Sequence, residues 1–131
     1  ENFEKEFRVK YNWVMVNNKE AFLILVKISL VDNDLDPAEK QLLLDYGHDT
    51  FDLSIDEINE LCRTEIKLRD KNEKLFLLQL EKLIHKVERR FKKNELYDIA
   101  KEIIEADGQY TIEEKNALIM IKKLFFEKKA V

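Results

Sequence analysis

Two short stretches of the sequence crowd carboxylates together. Their members are Asp32, Asp34, Asp36 and Glu39 in the first stretch and Asp107, Glu113 and Glu114 in the second. Carboxylates this close repel one another unless a cation or hydrogen-bond donors lie between them. Hard oxygen ligands suit hard cations, so the chemistry to expect is binding of Ca²⁺, Mg²⁺ or Mn²⁺, while zinc suits this oxygen set less well.

The two acidic stretches belong to an internal repeat. When residues 22–46 are shifted by 75 positions onto 97–121, Asp32 falls on Asp107 and Glu39 falls on Glu114. The same shift pairs Asn33 with Gly108, Lys40 with Lys115, Leu43 with Leu118, Ile24 with Ile99 and Ile28 with Ile103. Each copy is typical of an apolar helix, a tight acidic turn and a second amphipathic helix. The sequence therefore predicts either one structural corner or one site, present twice.

A calcium-binding EF-hand does not account for the first stretch. Asp32, Asp34 and Asp36 alternate like the first ligands of an EF-hand loop. That loop needs glycine at its sixth position and a bidentate glutamate at its twelfth, where this chain has Pro37 and Leu43. The EF-hand interpretation is therefore excluded.

Helix capping offers a second interpretation of the same carboxylates. Capping-box spacing is found in Asp36 with Glu39, in Ser54 with Glu57 and in Thr111 with Glu114. Acidic side chains in a first helical turn are also favoured by the helix dipole, by about 0.3–1 kcal/mol each. Asp32 and Asp107, which precede the caps, would then close the turns by accepting bonds from backbone N–H groups two residues on. The residues alone leave both interpretations open.

The composition favours helices. The chain has 131 residues, of which 45% are hydrophobic and 38% charged, with only two glycines and one proline. So few turn-forming residues predict a few long helices with short connections rather than a sheet. The net charge of −4 provides no general attraction to nucleic acid, and no apolar run approaches the roughly 20 residues of a membrane span. We expect neither nucleic acid binding nor membrane insertion.

Apolar periodicity and capping signals predict an all-α bundle of about seven helices with two pseudo-symmetric helix-turn-helix repeats. The predicted helices are about 2–16, 18–31, 37–46, one from Ser54, 72–92, 95–106 and one from Thr111. The second helix is apolar nearly all round, so we expect it to be central and buried. Gly47 is predicted to end the third helix, with a loop over 47–53. The whole chain, 1–131, is predicted to be a single domain with repeat halves at about 20–47 and 95–126.

Isolated chemical groups are weaker candidates. His48 lies near Asp45, Asp49 and Asp52, and such a set can bind zinc. The other interpretation is a solvated loop, because no second His or Cys stands at ligand spacing. Cys62 falls on an apolar stripe, so we expect a core residue. No phosphate loop, nucleophile elbow, His-Glu-x-x-His or Cys-x-x-Cys motif occurs, and we expect no enzyme.

The second acidic stretch carries a family resemblance. Ala106-Asp107-Gly108, followed by Glu113-Glu114 after an apolar helix, resembles the TerB-like family, which includes tellurite-resistance TerB proteins and the N-terminal domain of DjlA-type co-chaperones. The resemblance covers residues about 20–126. It implies an all-helical cytoplasmic module linked to stress or metal resistance. Its partners would be proteins, including a membrane-associated stress complex.

The resemblance also implies metal ligands. Carried over by position, they are Asp32 and Glu39 in the first copy and Asp107, Glu113 and Glu114 in the second. The first copy departs from the pattern, because Asn33 replaces the glycine and Ala38 replaces the first glutamate. We therefore expect a stress-associated or tellurite-resistance-associated module with weak divalent-cation binding and protein–protein interaction. The alternative is a metal-independent helical interaction or scaffold domain of the co-chaperone type.

Overall fold

The helical fold predicted from the sequence is confirmed. The computed structural model describes residues 18–31, 35–86, 90–106, 108 and 112–126, without the side chains of 18, 90–93, 113, 114, 117 and 124. These residues form six helices and no strand: α1 Asn18–Leu30, α2 Pro37–Asp49, α3 Ile55–Lys71, α4 Glu73–Lys86, α5 Arg90–Ile104 and α6 Ile112–Phe126. The predicted helix over 2–16 lies outside this description. The single-domain organisation stays a prediction.

Helix α1 is the centre of the fold, as its sequence predicts. From Ala21 to Leu30 every residue is buried except the half-buried Leu23. The helix packs against α2, α3, α4 and α5, while α6 packs against α4 and α5. A helix that is apolar on all sides gains most when neighbours cover it all round, which is why α1 takes the central position.

The two repeats share one helical register. Helix α2 begins at Pro37 and α6 begins at Ile112, the same 75-position shift that aligns the two sequences. The aligned apolar pairs are buried in both copies, namely Ile24 with Ile99, Ile28 with Ile103 and Leu43 with Leu118. Each repeat therefore turns the equivalent helix faces toward the core.

Capping boxes open two of the helices, as predicted. At α2 the Asp36 carboxylate accepts a 2.8 Å bond from the Glu39 N–H, and Glu39 Oε1 accepts a 3.2 Å bond from the Asp36 N–H. Ser54 and Glu57 make the corresponding bonds of 3.1 and 3.0 Å at α3. The predicted box at Thr111 lies outside the described residues.

The prediction that Gly47 ends the third helix is wrong, because α2 continues to Asp49. Gly47 is buried, and a Cβ at this position would lie 2.5 Å from Ile58 Cδ1 and 3.0 Å from Phe22 Cζ. Glycine serves here as a contact point at which α2 approaches α1 and α3. The turn follows later, where Asp52 adopts a left-handed φ of 58°.

The predicted boundary between the fifth and sixth helices is also wrong. Helix α5 runs from Arg90 to Ile104, so the break predicted between residues 92 and 95 falls inside a helix, while residues 87–89 lie outside the described ranges. Apolar residues keep a helical spacing across this boundary, so periodicity alone marks no break. The packing differs on the two sides of this gap, since α4 lies against α3 and α6 whereas α5 lies against α2 and α6.

Candidate functional site

The five predicted metal ligands are only partly within the described structure. Asp32 and Asp107 lie outside it, and for Glu113 and Glu114 the structure describes only the backbone in the first turn of α6. Glu39 is fully described and only 3% exposed, with its Oε1 atom used in the α2 capping box. Over the described ranges, no group of three or more His, Cys, Asp or Glu side chains could hold a metal ion.

A guanidinium group lies at the end of α1, close in the chain to the first acidic stretch. Arg69 of α3 donates a 3.1 Å bond from Nη1 to the carbonyl oxygen of Leu30 and pairs with Asp70 at 3.2 Å. Its side chain is only 12% exposed. A cation at a helix C-terminus is favoured by the dipole and satisfies a terminal carbonyl. The protein thus supplies its own cation two positions before Asp32, an arrangement that sequence reasoning missed.

The second corner depends on a glycine. Gly108 has a φ of 74°, its N–H donates a 3.1 Å bond to the carbonyl of Glu105, and it is exposed. A Cβ at Gly108 would meet nothing within 4 Å, so the requirement for glycine is conformational rather than steric. This explains the glycine of the Ala-Asp-Gly motif.

Comparison with known proteins identifies the family of this chain. A family model described as tellurite resistance protein TerB matches residues 18–128, a span that contains all six helices and both acidic stretches. The chain belongs to the TerB family. No curated protein and no solved structure matches it. Within the described part of this TerB chain, no helix is long and apolar enough to cross a membrane.

A buried polar cluster lies in the middle of the TerB fold. Lys27 of α1 is 0% exposed, and its ammonium contacts the Glu65 carboxylate of α3 at 2.5 Å. The same ammonium donates a 3.1 Å bond to Gln79 and lies 4.5 Å from the centre of the Phe76 ring. Each contact places a negative or partially negative group beside the buried positive charge and so stabilises it electrostatically. The sequence signal was a single lysine within an apolar run, which marked the position but not its partners.

A second polar contact joins the two halves of the TerB repeat. The hydroxyl group of Tyr46 in α2 donates to Glu102 in α5, with oxygen–oxygen distances of 2.5 and 3.0 Å. This hydrogen bond, together with burial and the negative charge of Glu102, raises the pKa of Tyr46 to about 12. The raised pKa extends to alkaline pH the range over which the phenol keeps its proton and donates this bond.

The remaining candidates from the sequence are His48 and Cys62. His48 is exposed in the last turn of α2 rather than in the predicted loop, and Asp45 and Asp49 are exposed beside it. Cys62 is buried on α3, as predicted. Burial raises the pKa of the Cys62 thiol, and nearby Lys40 only partly opposes this effect. A protonated, buried thiol is a poor nucleophile.

Proposed function

We propose that this TerB-like protein is a non-catalytic cytoplasmic module that binds a divalent cation weakly at its acidic corners. It acts through protein partners in a stress response. The observation that carries the proposal is the shared register of the repeats, in which the helices that follow both acidic stretches start at equivalent positions. The proposed ligands are Asp32 and Glu39 in the first corner and Asp107, Glu113 and Glu114 in the second. The cytoplasmic location and the link to stress rest on the family.

The two acidic corners are expected to differ in their affinity for the cation. At the first corner Glu39 is buried and engaged with the Asp36 N–H, and Arg69 already brings a positive charge to the end of α1. Both observations favour a structural role for the first copy. The second copy keeps the full Ala-Asp-Gly motif and both following glutamates. We therefore assign the stronger cation affinity to the Asp107 corner.

A metal-independent scaffold is the second candidate function, and a specific comparison favours it. The capping box of Ser54 and Glu57 opens α3, which lies outside the repeats. At α3 the glutamate in the third helical position, Glu57, completes a capping box although this helix is not part of a repeated acidic stretch. Glu39 makes the same bond, so its carboxylate has a sufficient structural reason to be present.

Thermal unfolding in the presence of single cations separates the two functions. A cation that binds only the folded state raises the melting temperature, and at 100 times its dissociation constant it adds about 2.7 kcal/mol of stability. We expect a rise with Ca²⁺, Mg²⁺ or Mn²⁺ that Asp107→Asn abolishes. Glu39→Gln should keep most of the rise, because glutamine can complete the capping box.

Asp98→Asn is the matched control, since Asp98 is an exposed aspartate on α5 outside the acidic stretches. This variant should melt and respond to cations like the parent protein. If no cation shifts the parent melt, the scaffold function replaces the cation-binding one. Equal losses in Asp98→Asn and Asp107→Asn would show that the cations act only through general charge screening.

A further inference from the structure

Helix α4 carries a cluster of exposed leucines on its first two turns. Leu75, Leu77 and Leu78 are 39%, 36% and 46% exposed and fall within four consecutive residues, which we call the leucine patch. The other exposed large hydrophobic residues of the described ranges lie at least seven positions apart and are Ile55, Ile112 and Ile119. Single exposed apolar residues are ordinary, whereas a contiguous patch marks a surface that another element covers.

The start of α1 lies beside the end of α4. Glu20 of α1 pairs with Lys86 of α4 at 3.0 Å. Seven residues later in α1, Lys27 bonds at 3.1 Å to Gln79, which is seven residues earlier in α4. The two helices are therefore antiparallel, and the chain enters α1 at the opposite end of α4 from the leucine patch. At a helical rise of about 1.5 Å per residue, Leu78 lies about 12 Å before Lys86.

The segment that precedes α1 has the composition and the length to reach this patch. Residues 1–17 lie outside the described residues and before the family match, which begins at residue 18. The apolar residues of this segment that recur at helical spacing are Phe3, Phe7, Tyr11 and Val14. Their spacing predicts an amphipathic helix over about 2–16, with a length of about 22 Å. A helix of that length spans the distance from the start of α1 back to the patch.

Burial of aromatic rings favours a helix that folds back over one that extends α1. Asn17 and Asn18 separate the predicted helix from the body of α1, and asparagine is a preferred helix cap, so we expect a change of direction there. A straight extension would leave Phe3 and Phe7 in water, although each aromatic side chain removes roughly 150–250 Å² from water when it is buried. Folding back places these rings over exposed leucines instead.

We propose that residues 1–17 form a helix that docks on the leucine patch, parallel to α4 and antiparallel to α1. A turn just beyond Lys86 sets the register at a shift of about 71 positions between the segment and α4, which brings Phe7 level with Leu78. The direct connection to α1 favours this occupant over a second copy of the chain, because a short tether gives an effective concentration in the millimolar range.

Disulfide trapping in the full chain tests the docking. Phe7→Cys/Leu78→Cys should close an internal disulfide in oxidised glutathione, because facing Cα atoms of two packed segments come within about 7 Å. The product is a monomer that migrates faster on a non-reducing gel. Native Cys62 is buried, and burial raises the pKa of its thiol, so it does not compete for the new cysteines.

The orientation is tested with the exposed lysines on either side of Leu78. Phe3→Cys/Lys74→Cys and Tyr11→Cys/Lys82→Cys keep the same register and should also close. The crossed pair Phe3→Cys/Lys82→Cys should stay reduced, since its positions lie about 12 Å apart along the helix. A disulfide-linked dimer in place of the internal bond would overturn the proposal and assign the leucine patch to a second copy. Equal closure of the matched and crossed pairs would overturn it as well.

The single tryptophan of the chain, Trp13, lies in the same segment and reports the docking without any new cysteine. Leu78→Glu should release the segment and raise the acrylamide quenching of Trp13 fluorescence by about twofold, because a charge on the patch opposes apolar packing. Ile119→Glu is the matched control, since Ile119 is similarly exposed at 48% but lies on α6. This variant should be quenched like the parent protein.

A substitution in the segment itself excludes damage to α4 as the cause. Phe7→Ser leaves every described residue unchanged and should raise the quenching of Trp13 as much as Leu78→Glu does. If Ile119→Glu has the same effect as Leu78→Glu, or if the parent is already quenched as strongly as Phe7→Ser, the segment does not dock on the leucine patch.

Discussion

The ammonium of Lys27 lies 2.5 Å from the carboxylate of Glu65, and the two side chains are 0% and 7% exposed. The contact joins α1, the central helix, to α3, and Gln79 brings α4 to the same ammonium. Two charges removed from water in this way depend on each other, because a lone buried charge keeps the desolvation cost without the attraction that offsets it.

Lys27→Met should therefore destabilise the protein by about 3–5 kcal/mol, since it leaves Glu65 charged and unpaired in the core. Urea denaturation at neutral pH measures the loss. The double variant Lys27→Met/Glu65→Met should recover most of it, because an apolar pair of similar volume often replaces a buried ion pair without a net cost. If the double variant is as unstable as the single one, packing rather than charge explains the effect.

Gly47→Ala should lower the free energy of unfolding by about 1–2 kcal/mol, as overpacking outweighs the gain in helix propensity of roughly 1 kcal/mol. The new methyl group would meet Ile58 Cδ1 at 2.5 Å, and Ile58 is fully buried. Chemical denaturation of Gly47→Ala, Ile58→Val and the double variant gives the coupling between the positions. The double variant should lose less than the sum, because valine lacks Cδ1, the nearer of the two Ile58 atoms that the new methyl group would meet. A stabilised Gly47→Ala variant would contradict the close contact.

Gly108→Ala should cost about 1–2 kcal/mol for a different reason, namely the left-handed φ of 74°. Steric contact plays no part, because the space around the missing Cβ is open. Gly108→Asn should cost less, since asparagine enters the left-handed region more readily, and Asn33 occupies the aligned position of the first repeat. Thermal denaturation compares the variants. Equal losses for alanine and asparagine would argue against a conformational origin.

Alkaline pH should weaken the contact between Tyr46 and Glu102. The pKa of Tyr46 is raised from 10.0 to about 12, so between these values the folded protein holds a proton that the unfolded chain has released. The stabilisation is complete below pH 10 and is lost as the pH rises toward 12. Tyr46→Phe should remove this part of the pH dependence of the melting temperature. Identical slopes for the parent and Tyr46→Phe between these pH values would refute the bond as its source.

Local patterns allowed much of the fold to be predicted. Interactions within one or two helical turns explain three features that were predicted correctly. They are the α1 helix, the capping boxes at Asp36 and Ser54 and the shared register of the repeats. The candidate corners were located in the same way, from carboxylate spacing and the family pattern. Predictions failed where a contact with a residue distant in sequence determines the role of a residue. Gly47 was predicted to end a helix, but its close contact with Ile58 explains why it is a glycine.

The sequence by itself determined that this chain is helical, duplicated and a member of the TerB family. Periodicity, capping and motif spacing depend only on residues that are close together in the chain. Only the tertiary structure decided which distant groups meet. Lys27 and Glu65 are 38 positions apart, and Tyr46 and Glu102 are 56 positions apart. The first pair forms because packing removes water from the facing sides of α1 and α3, and a buried polar group then needs a partner within the protein. The second pair lies at the surface and forms because α2 packs against α5.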